Sequence, residues 1–289
     1  MSRVIEYTVP EEFGGKRLIA FLRGSVKVSA RMLTQLKKDP DGLLKNGEHI
    51  RTIDTVHTGD IIQIKFPNEA NGIEPADYSD MKIVYEDDDI LVINKPPFLA
   101  VHPTHNHQGD TLANKVAGYM LSKGKNPVFR AVGRLDKSTS GLIICALNKH
   151  SAFQLSGNGK KEYLAVAEGK IDGKGTINKP ICRPDPLKTL RAVGETGDRS
   201  VTHYESLLSN GELTLLRVTL ETGRTHQIRV HFSSIGHPLA GDEMYGGKRD
   251  FIDRAALHCE KISFVHPVSG ENLDFTAEIP EDMKKLVWN

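Results

Sequence analysis

The stretch Arg134-Leu135-Asp136-Lys137-Ser138-Thr139-Ser140-Gly141-Leu142-Ile143-Ile144-Cys145-Ala146 places a charged pair directly before an apolar segment. Residues 142–147 form a continuous apolar run of strand length, and Thr139-Ser140-Gly141 is typical of a tight turn leading into a strand. An acid at a strand end, two residues after an arginine, is a candidate nucleophile or general base whose ionised form is favoured by positive charge. Alone, Arg-Leu-Asp is more often a structural ion pair in a loop.

The longer sequence around Arg-Leu-Asp favours a catalytic acid over a structural ion pair. Arg134-Leu135-Asp136 followed by Thr139-Ser140-Gly141-Leu142 closely resembles the signature of the RluA-type pseudouridine synthases, which convert uridine to pseudouridine in RNA. The family usually has a histidine before the arginine, and this chain has Gly133 instead. The acid and the arginine are intact, so the substitution leaves the predicted catalytic group in place.

Further segments carry the same resemblance. They are Asn94-Lys95-Pro96-Pro97 with Val101-His102-Pro103, Lys161-Glu162-Tyr163-Leu164-Ala165, Gly223-Arg224-Thr225-His226-Gln227-Ile228-Arg229, and Gly236-His237-Pro238-Leu239-Ala240-Gly241-Asp242. The resemblance implies that Asp136 is the catalytic acid, that Tyr163 stacks on the target base, and that Arg229 pairs with Asp136. It also implies a substrate-binding set, which we predict to be Arg134, Lys95, Thr139, Arg224, His226 and Gln227.

Composition is that of an ordinary globular protein. The 289 residues are 38% hydrophobic and 26% charged, with a net charge of +1, so basic residues that bind a polyanion must be concentrated on one face. The three cysteines are widely spaced and form no CxxC pair, which argues against a disulfide framework or a zinc ribbon. No stretch reads as a signal peptide or a membrane span. We expect a cytoplasmic, monomeric protein without membrane association.

The N-terminal region is predicted to bind RNA. Apolar residues recur at helical spacing in two segments of residues 16–38, with Ser29 as a predicted N-cap of the second helix. Asn46-Gly47 predicts a hairpin turn. This helix pair and hairpin are similar to the S4-type RNA-binding module, which presents basic helices to phosphates. The basic residues between positions 16 and 38, which no acid interrupts, are Lys16, Arg17, Arg23, Lys27, Arg31, Lys37 and Lys38.

These patterns divide the chain into an S4-like module at residues 1–67, a linker at 68–80 and a catalytic domain at 81–289. Many strands with short interspersed helices predict an α+β fold around a mixed, mainly antiparallel sheet, with a small N-terminal α/β module. The resemblance implies one long sheet with the catalytic cleft across its middle.

Two local features of the catalytic domain are also predicted. Asp110 is the expected N-cap of a helix that ends near Gly124. His102, His105 and His107 raise the question of a metal, but no cysteine or carboxylate lies between them, so we interpret this loop as a polar lid.

The expected reaction breaks the N1–C1′ bond of a uridine, rotates the base and rejoins it through C5. No electrons leave and no group is added, so we expect neither a metal nor another cofactor. Large-subunit ribosomal RNA is the favoured substrate and transfer RNA the alternative. Two other functions stay open: a non-catalytic RNA-binding or ribosome-assembly protein that retains the fold, and a nucleoside or base hydrolase using the same acid.

Overall fold

The computed structural model describes residues 3–67, 72–104 and 107–287. Within these ranges the helices are α1 (Leu18–Gly24), α2 (Ala30–Leu36), α3 (Leu112–Ser122), α4 (Lys149–Leu155), α5 (Gln227–Ser233) and α6 (Glu281–Val287). The strands are β1 (Arg3–Thr8), β2 (Leu43–Lys45), β3 (Glu48–His49), β4 (Ile61–Phe66), β5 (Lys82–Glu86), β6 (Ile90–Lys95), β7 (Arg130–Val132), β8 (Ser140–Ala146), β9 (Gly159–Glu168), β10 (Lys174–Asn178), β11 (Ile181–Cys182), β12 (Ala192–Val193), β13 (Val201–Ser209), β14 (Leu213–Leu220), β15 (Leu257–Val265) and β16 (Asn272–Thr276). No helix in these ranges combines the length and apolar composition that a bilayer crossing requires.

The N-terminal region has its own small sheet and core. Strands β1, β4, β2 and β3 lie in that order and all pair antiparallel, and α1 and α2 bury apolar faces against them. The predicted cap of α2 is confirmed, since the Ser29 side chain accepts a hydrogen bond from the Met32 amide at 3.2 Å. The predicted hairpin turn is confirmed as well, with positive φ angles of 50° at Asn46 and 89° at Gly47.

A ten-stranded sheet dominates the remainder of the chain. Its main path is β10-β13-β14-β9-β15-β8-β6-β5, with β16 added to β15 and β7 to β8. All pairs are antiparallel except β15 with β8. The predicted α+β class with a mixed, mainly antiparallel sheet is therefore confirmed.

The apolar run after the central motif forms the middle of this sheet. Every residue of β8 is buried, as a strand with neighbours on both edges requires. At its start Gly141 has φ of 107°, and a Cβ atom there would lie 2.2 Å from the carbonyl oxygen of Cys259 on β15. Glycine is therefore required where the parallel strands β8 and β15 meet.

The segment after the N-terminal sheet packs along α3. Residues 68–71 of the predicted linker lie outside the described part of the chain. From residue 72 onward, the Asn114 side chain donates to the Glu74 carbonyl at 2.8 Å, and the Ala76 amide donates to the Asn114 carbonyl at 3.0 Å. The prediction that Asp110 caps α3 was wrong, because Thr111 is the cap and exchanges hydrogen bonds with Asn114 in a capping box.

The N-terminal region contacts the part of the chain that forms the large sheet through polar and aromatic groups. Arg3 pairs with Asp89 at 2.8 Å, and the Tyr7 hydroxyl lies 3.1 Å from Nε2 of His150 on α4. The Phe66 ring stacks on His150 with 4.8 Å between ring centroids. These contacts join the two sheets through α4 and the turn before β6.

Candidate active site

The loop that carries the central motif opens onto a large cleft. The cleft has a volume of about 1330 Å³, and its walls include Asp136, Tyr163 and Arg229, which the structure brings together from three separate segments. Asp136 follows β7, Tyr163 lies on β9, and Arg229 lies on α5. The three predicted catalytic residues therefore share one concave surface.

Asp136 presents a largely enclosed carboxylate to this cleft. Its side chain is 14% exposed, and its Oδ2 lies 3.3 Å from Nη1 of Arg229. The backbone carbonyl of Asp136 accepts a hydrogen bond from the Thr139 amide at 3.1 Å, which closes the turn into β8. The turn that carries Asp136 is thus closed by a backbone hydrogen bond, and the carboxylate faces a permanent positive charge.

Arg229 has a second carboxylate partner that the sequence did not predict. Asp242 binds the guanidinium bidentately, with Nε–Oδ2 and Nη2–Oδ1 distances of 2.7 Å. The guanidinium also lies 5.0 Å from the centre of the Tyr245 ring, within cation–π range. Burial alone would lower the pKa of Arg229, but Asp242 and then Asp136 raise it. The one available signal for Asp242 was an acid beside Gly241 in the downstream family pattern.

His226 is a second polar neighbour of the Asp136 carboxylate. It is the N-cap of α5 and has a left-handed φ of 56°. Its Nε2 lies 3.8 Å from Oδ2 of Asp136, and its Nδ1 lies 2.8 Å from the Tyr245 hydroxyl. That hydroxyl accepts from the Arg191 amide at 3.1 Å, which leaves its hydrogen for Nδ1. Burial lowers the pKa of His226, and the charge of Asp136 opposes this effect.

Tyr163 lies in the cleft wall with most of its ring covered. The side chain is 6% exposed, and Cys259 lies opposite it in the β9–β15 register. Burial raises the pKa of Tyr163 well above its ordinary value, so the phenol stays protonated. A protonated, fixed ring offers a π face to a base.

The predicted substrate-binding residues fall into two groups. Arg134, Arg224 and His226 line the cleft. Arg134 is exposed and donates to Thr225 Oγ1 at 3.1 Å, and Arg224 pairs with Asp198 at 3.3 Å. Both guanidiniums stand at the surface, where phosphates can reach them.

Lys95, Thr139 and Gln227 are buried and do not line the cleft. Gln227 Oε1 accepts from Thr222 Oγ1 at 2.8 Å and from the Arg224 amide at 3.0 Å. Thr139 Oγ1 finds no hydrogen-bond partner among the described residues. Their burial is incompatible with direct substrate contact in this conformation. Lys95 and Gln227 instead form hydrogen bonds to the loops beside the cleft.

Lys95 illustrates this supporting role. Its Nζ donates to the carbonyl oxygens of Pro96 at 2.9 Å, Leu99 at 3.0 Å and Lys137 at 3.3 Å. Burial, followed by the charge of Arg254, lowers the pKa of Lys95 to about 7. The lysine ties the turn after β6 to the loop of Asp136.

The histidine loop makes protein contacts. His102 packs edge-on against Phe129 with 5.2 Å between ring centroids. Nδ1 of His107 lies 2.6 Å from Oδ2 of Asp110, and its Nε2 lies 3.0 Å from Nζ of Lys137. His105 lies outside the described residues, and the described residues contain no group of three His, Cys, Asp or Glu placed to hold a metal ion.

The seven basic residues predicted to bind RNA are all exposed: Lys16, Arg17, Arg23, Lys27, Arg31, Lys37 and Lys38. None of them forms an ion pair with another described residue. Lys16 lies 5.2 Å from the centre of the Phe13 ring. This charge is therefore uncompensated within the part of the chain that the structure describes.

A sequence model of the RNA pseudouridylate synthase family matches residues 89–234, the segment that contains Asp136, Tyr163 and Arg229. This chain belongs to that family. The uncharacterized RNA pseudouridine synthase YjbO of Bacillus subtilis is 38% identical over 91% of this chain and 96% of its own length. The ribosomal large subunit pseudouridine synthase D of Vibrio cholerae serotype O1 is 38% identical over 79% of this chain and 76% of its own.

Solved structures agree with this assignment. Human RNA pseudouridylate synthase domain containing 1 superposes with a TM-score of 0.57 at 28% identity, covering 74% of this chain and 90% of the human chain. The RluA-type resemblance of the central motif is thereby confirmed. This pseudouridine synthase is an isomerase that acts on RNA.

Proposed function

We propose that this pseudouridine synthase modifies particular uridines of large-subunit ribosomal RNA and uses Asp136 as its catalytic carboxylate. The observation that carries the assignment of Asp136 is its position in the cleft, 14% exposed and 3.3 Å from Arg229. The ribosomal target is supported by relatives such as synthase D of Vibrio cholerae, which is named for the large subunit. Transfer RNA is the alternative target.

The carboxylate attacks the ribose, attacks the base or assists an elimination, and glycosidic chemistry in general uses carboxylates to meet positive character at the anomeric carbon. Arg229 donates a hydrogen bond to the carboxylate of Asp136 from Nη1, while Asp242 holds the guanidinium through Nε and Nη2. Tyr163 supplies a fixed ring against which the detached uracil can rotate without leaving.

The target uridine must leave its helix or loop to reach Asp136, which costs a few kcal/mol of unstacking. Arg134 is exposed at the cleft, two residues before the carboxylate. We propose that its guanidinium occupies the space that the extruded nucleotide leaves. If Arg134→Ala binds and modifies structured RNA as well as the parent protein does, this role is excluded.

The role of Asp136 is tested in a single turnover on large-subunit ribosomal RNA transcribed with tritium at C5 of uridine. Tritium is released because C5 exchanges its hydrogen for the bond to C1′. We expect Asp136→Asn to abolish release and to leave RNA affinity near that of the parent. Asp172→Asn, a surface acid paired with Lys170, is the matched control and should release tritium normally. Free uracil from the parent would instead indicate a hydrolase.

The choice of RNA is tested by mapping pseudouridines in ribosomal and transfer RNA from cells that lack the protein. Loss of a modified site in the large subunit supports the proposal. Loss confined to transfer RNA would replace the ribosomal target with the alternative. An unchanged map, together with no tritium release by the parent, would favour the non-catalytic RNA-binding function.

We further propose that residues 1–67 form an S4-like RNA-binding module ahead of the catalytic domain. Support comes from the exposed, uncompensated cations on and beside α1 and α2. In a binding titration at several salt concentrations, Arg23→Ala with Arg31→Ala should reduce the slope of log K against log salt by about 0.7 to 0.9 for each phosphate that the variant no longer neutralises. Arg51→Ala is the matched control, because Asp54 already neutralises that arginine at 2.9 Å. Equal slopes for all variants would contradict the assignment.

A further inference from the structure

Phe98 stands at the edge of the cleft in an unusual conformation. It follows Pro97 in the turn after β6 and has a φ of 63°. Its side chain is 55% exposed and contributes to the wall of the cleft that contains Asp136. At a turn position with positive φ, glycine or asparagine is the usual residue.

Neither folding nor packing accounts for an aromatic residue at this position. A left-handed conformation is a steric outlier for a bulky side chain, and an exposed ring gains little from burial. The next residue, Leu99, packs against the main core, so the turn already has its apolar anchor. Strained residues of this kind cluster where a protein binds its ligands.

The backbone turn that carries this ring is tied to the loop that carries the carboxylate. Lys95 donates to the Pro96 and Leu99 carbonyls, one on each side of the residue pair that includes Phe98. The same ammonium donates to the carbonyl of Lys137, next to Asp136. One buried cation therefore couples the turn of Phe98 to the catalytic loop, and such preorganisation lowers the entropic cost of binding.

We propose that Phe98 stacks on an unpaired base that flanks the target uridine in the RNA substrate. The target uracil itself must reach Asp136 and the covered ring of Tyr163, whereas Phe98 is far more exposed than either, at 55% against 14% and 6%. A neighbouring base is thus the group that meets Phe98. Exposed Arg134, Lys137 and Lys160 line the same cleft and provide charge for the adjoining phosphates. Aromatic stacking accepts any base.

This inference rests on the isomerase activity toward RNA and holds whichever RNA is the target. Its test compares Phe98→Gly, Phe98→Leu and Phe98→Trp with the parent protein. Glycine adopts a positive φ freely, so Phe98→Gly should fold with a Tm no lower than that of the parent. Loss of one stacked base should weaken binding to large-subunit ribosomal RNA transcript by about 5- to 150-fold. Phe98→Leu should be weakened similarly, and Phe98→Trp should bind like the parent.

Phe98→Trp also reports stacking directly. The chain has one native tryptophan, Trp288, so emission from the new indole is obtained by difference from the parent. We expect quenching when a single-stranded, uridine-containing oligonucleotide is added.

Three results would overturn the inference: RNA binding by Phe98→Gly as tight as that of the parent, RNA binding by Phe98→Leu as tight as that of the parent, or indole emission from Phe98→Trp that RNA does not quench. The last would leave contact with a protein partner as the function of the ring. If the parent forms no pseudouridine in the transcript, the proposed target fails. The quenching measurement with the oligonucleotide still decides the role of Phe98.

Discussion

Asp242 accepts hydrogen bonds from Nε and Nη2 of Arg229, each at 2.7 Å, and the remaining nitrogen, Nη1, lies 3.3 Å from Oδ2 of Asp136. The pair is buried, with side-chain exposures of 2% for Asp242 and 7% for Arg229. A buried arginine with two acidic partners keeps its charge and its direction. Asp242 therefore positions Arg229, and through it the carboxylate of Asp136.

Asp242→Asn should weaken both folding and catalysis. The amide has one oxygen and no charge, so Arg229 loses part of its bidentate partner inside the protein. Removing one member of a buried ion pair costs about 3–5 kcal/mol of unfolding free energy, and a misplaced catalytic group costs about 100-fold in kcat. Urea unfolding and tritium release well below the Tm measure the two effects. Asp172→Asn is the surface control, and an Asp242→Asn enzyme with parental kcat would refute the positioning role.

Gly141→Ala should disrupt the junction of β8 with β15. The added Cβ would lie 2.2 Å from the backbone oxygen of Cys259, and the φ of 107° disfavours alanine. We expect a loss of about 3 kcal/mol or more in unfolding free energy, measured by urea unfolding. Gly211→Ala is the matched control, since its φ is 93° and nothing lies within 4 Å of its Cβ position. Equal losses for both variants would show that backbone conformation alone matters.

Gly133→Ala tests the residue that departs from the family's usual histidine. Its φ is 74°, and a Cβ would lie 2.9 Å from Nζ of Lys161, which donates to the Val132 carbonyl at 3.2 Å and lines the cleft. Gly173→Ala is the matched control, since Gly173 has a comparable φ of 70° and nothing lies within 4 Å of its Cβ position. Both should lose about 1–2 kcal/mol of stability, but only Gly133→Ala should lose activity, by about tenfold. Equal tritium release by the two variants would contradict a role for Lys161 in the cleft.

Local patterns predicted much of the architecture. The apolar run of β8 indicated a buried strand, and Asn46-Gly47 indicated a hairpin, because these signals depend on neighbouring residues alone. The resemblance supplied Asp136, Tyr163 and Arg229, which the fold brings to one cleft.

Contacts between residues that are distant in the sequence could not be predicted from these local patterns. Lys95 is fully buried because carbonyls of its own turn and of Lys137, 42 residues away, surround it, and a lysine is ordinarily exposed. Asp242 pairs with Arg229 only after the chain folds back from α5. The wrong prediction of the α3 cap was a local error. Thr111 is the cap because Asn114, three residues later, completes a capping box with it.

His150 should make the protein sensitive to acid. It contacts Tyr7 and Phe66 across the N-terminal interface, and burial, opposed by Asp89, lowers its pKa from 6.5 to about 4. The unfolded chain therefore binds more protons between these values, and stability falls as the pH drops from 6.5 to 4, by up to about 3 kcal/mol. Urea unfolding across this range should show a smaller acid loss for His150→Phe than for the parent. His57→Gln, at an exposed histidine, should keep the parental loss; equal losses for all three proteins would exclude His150 as the source.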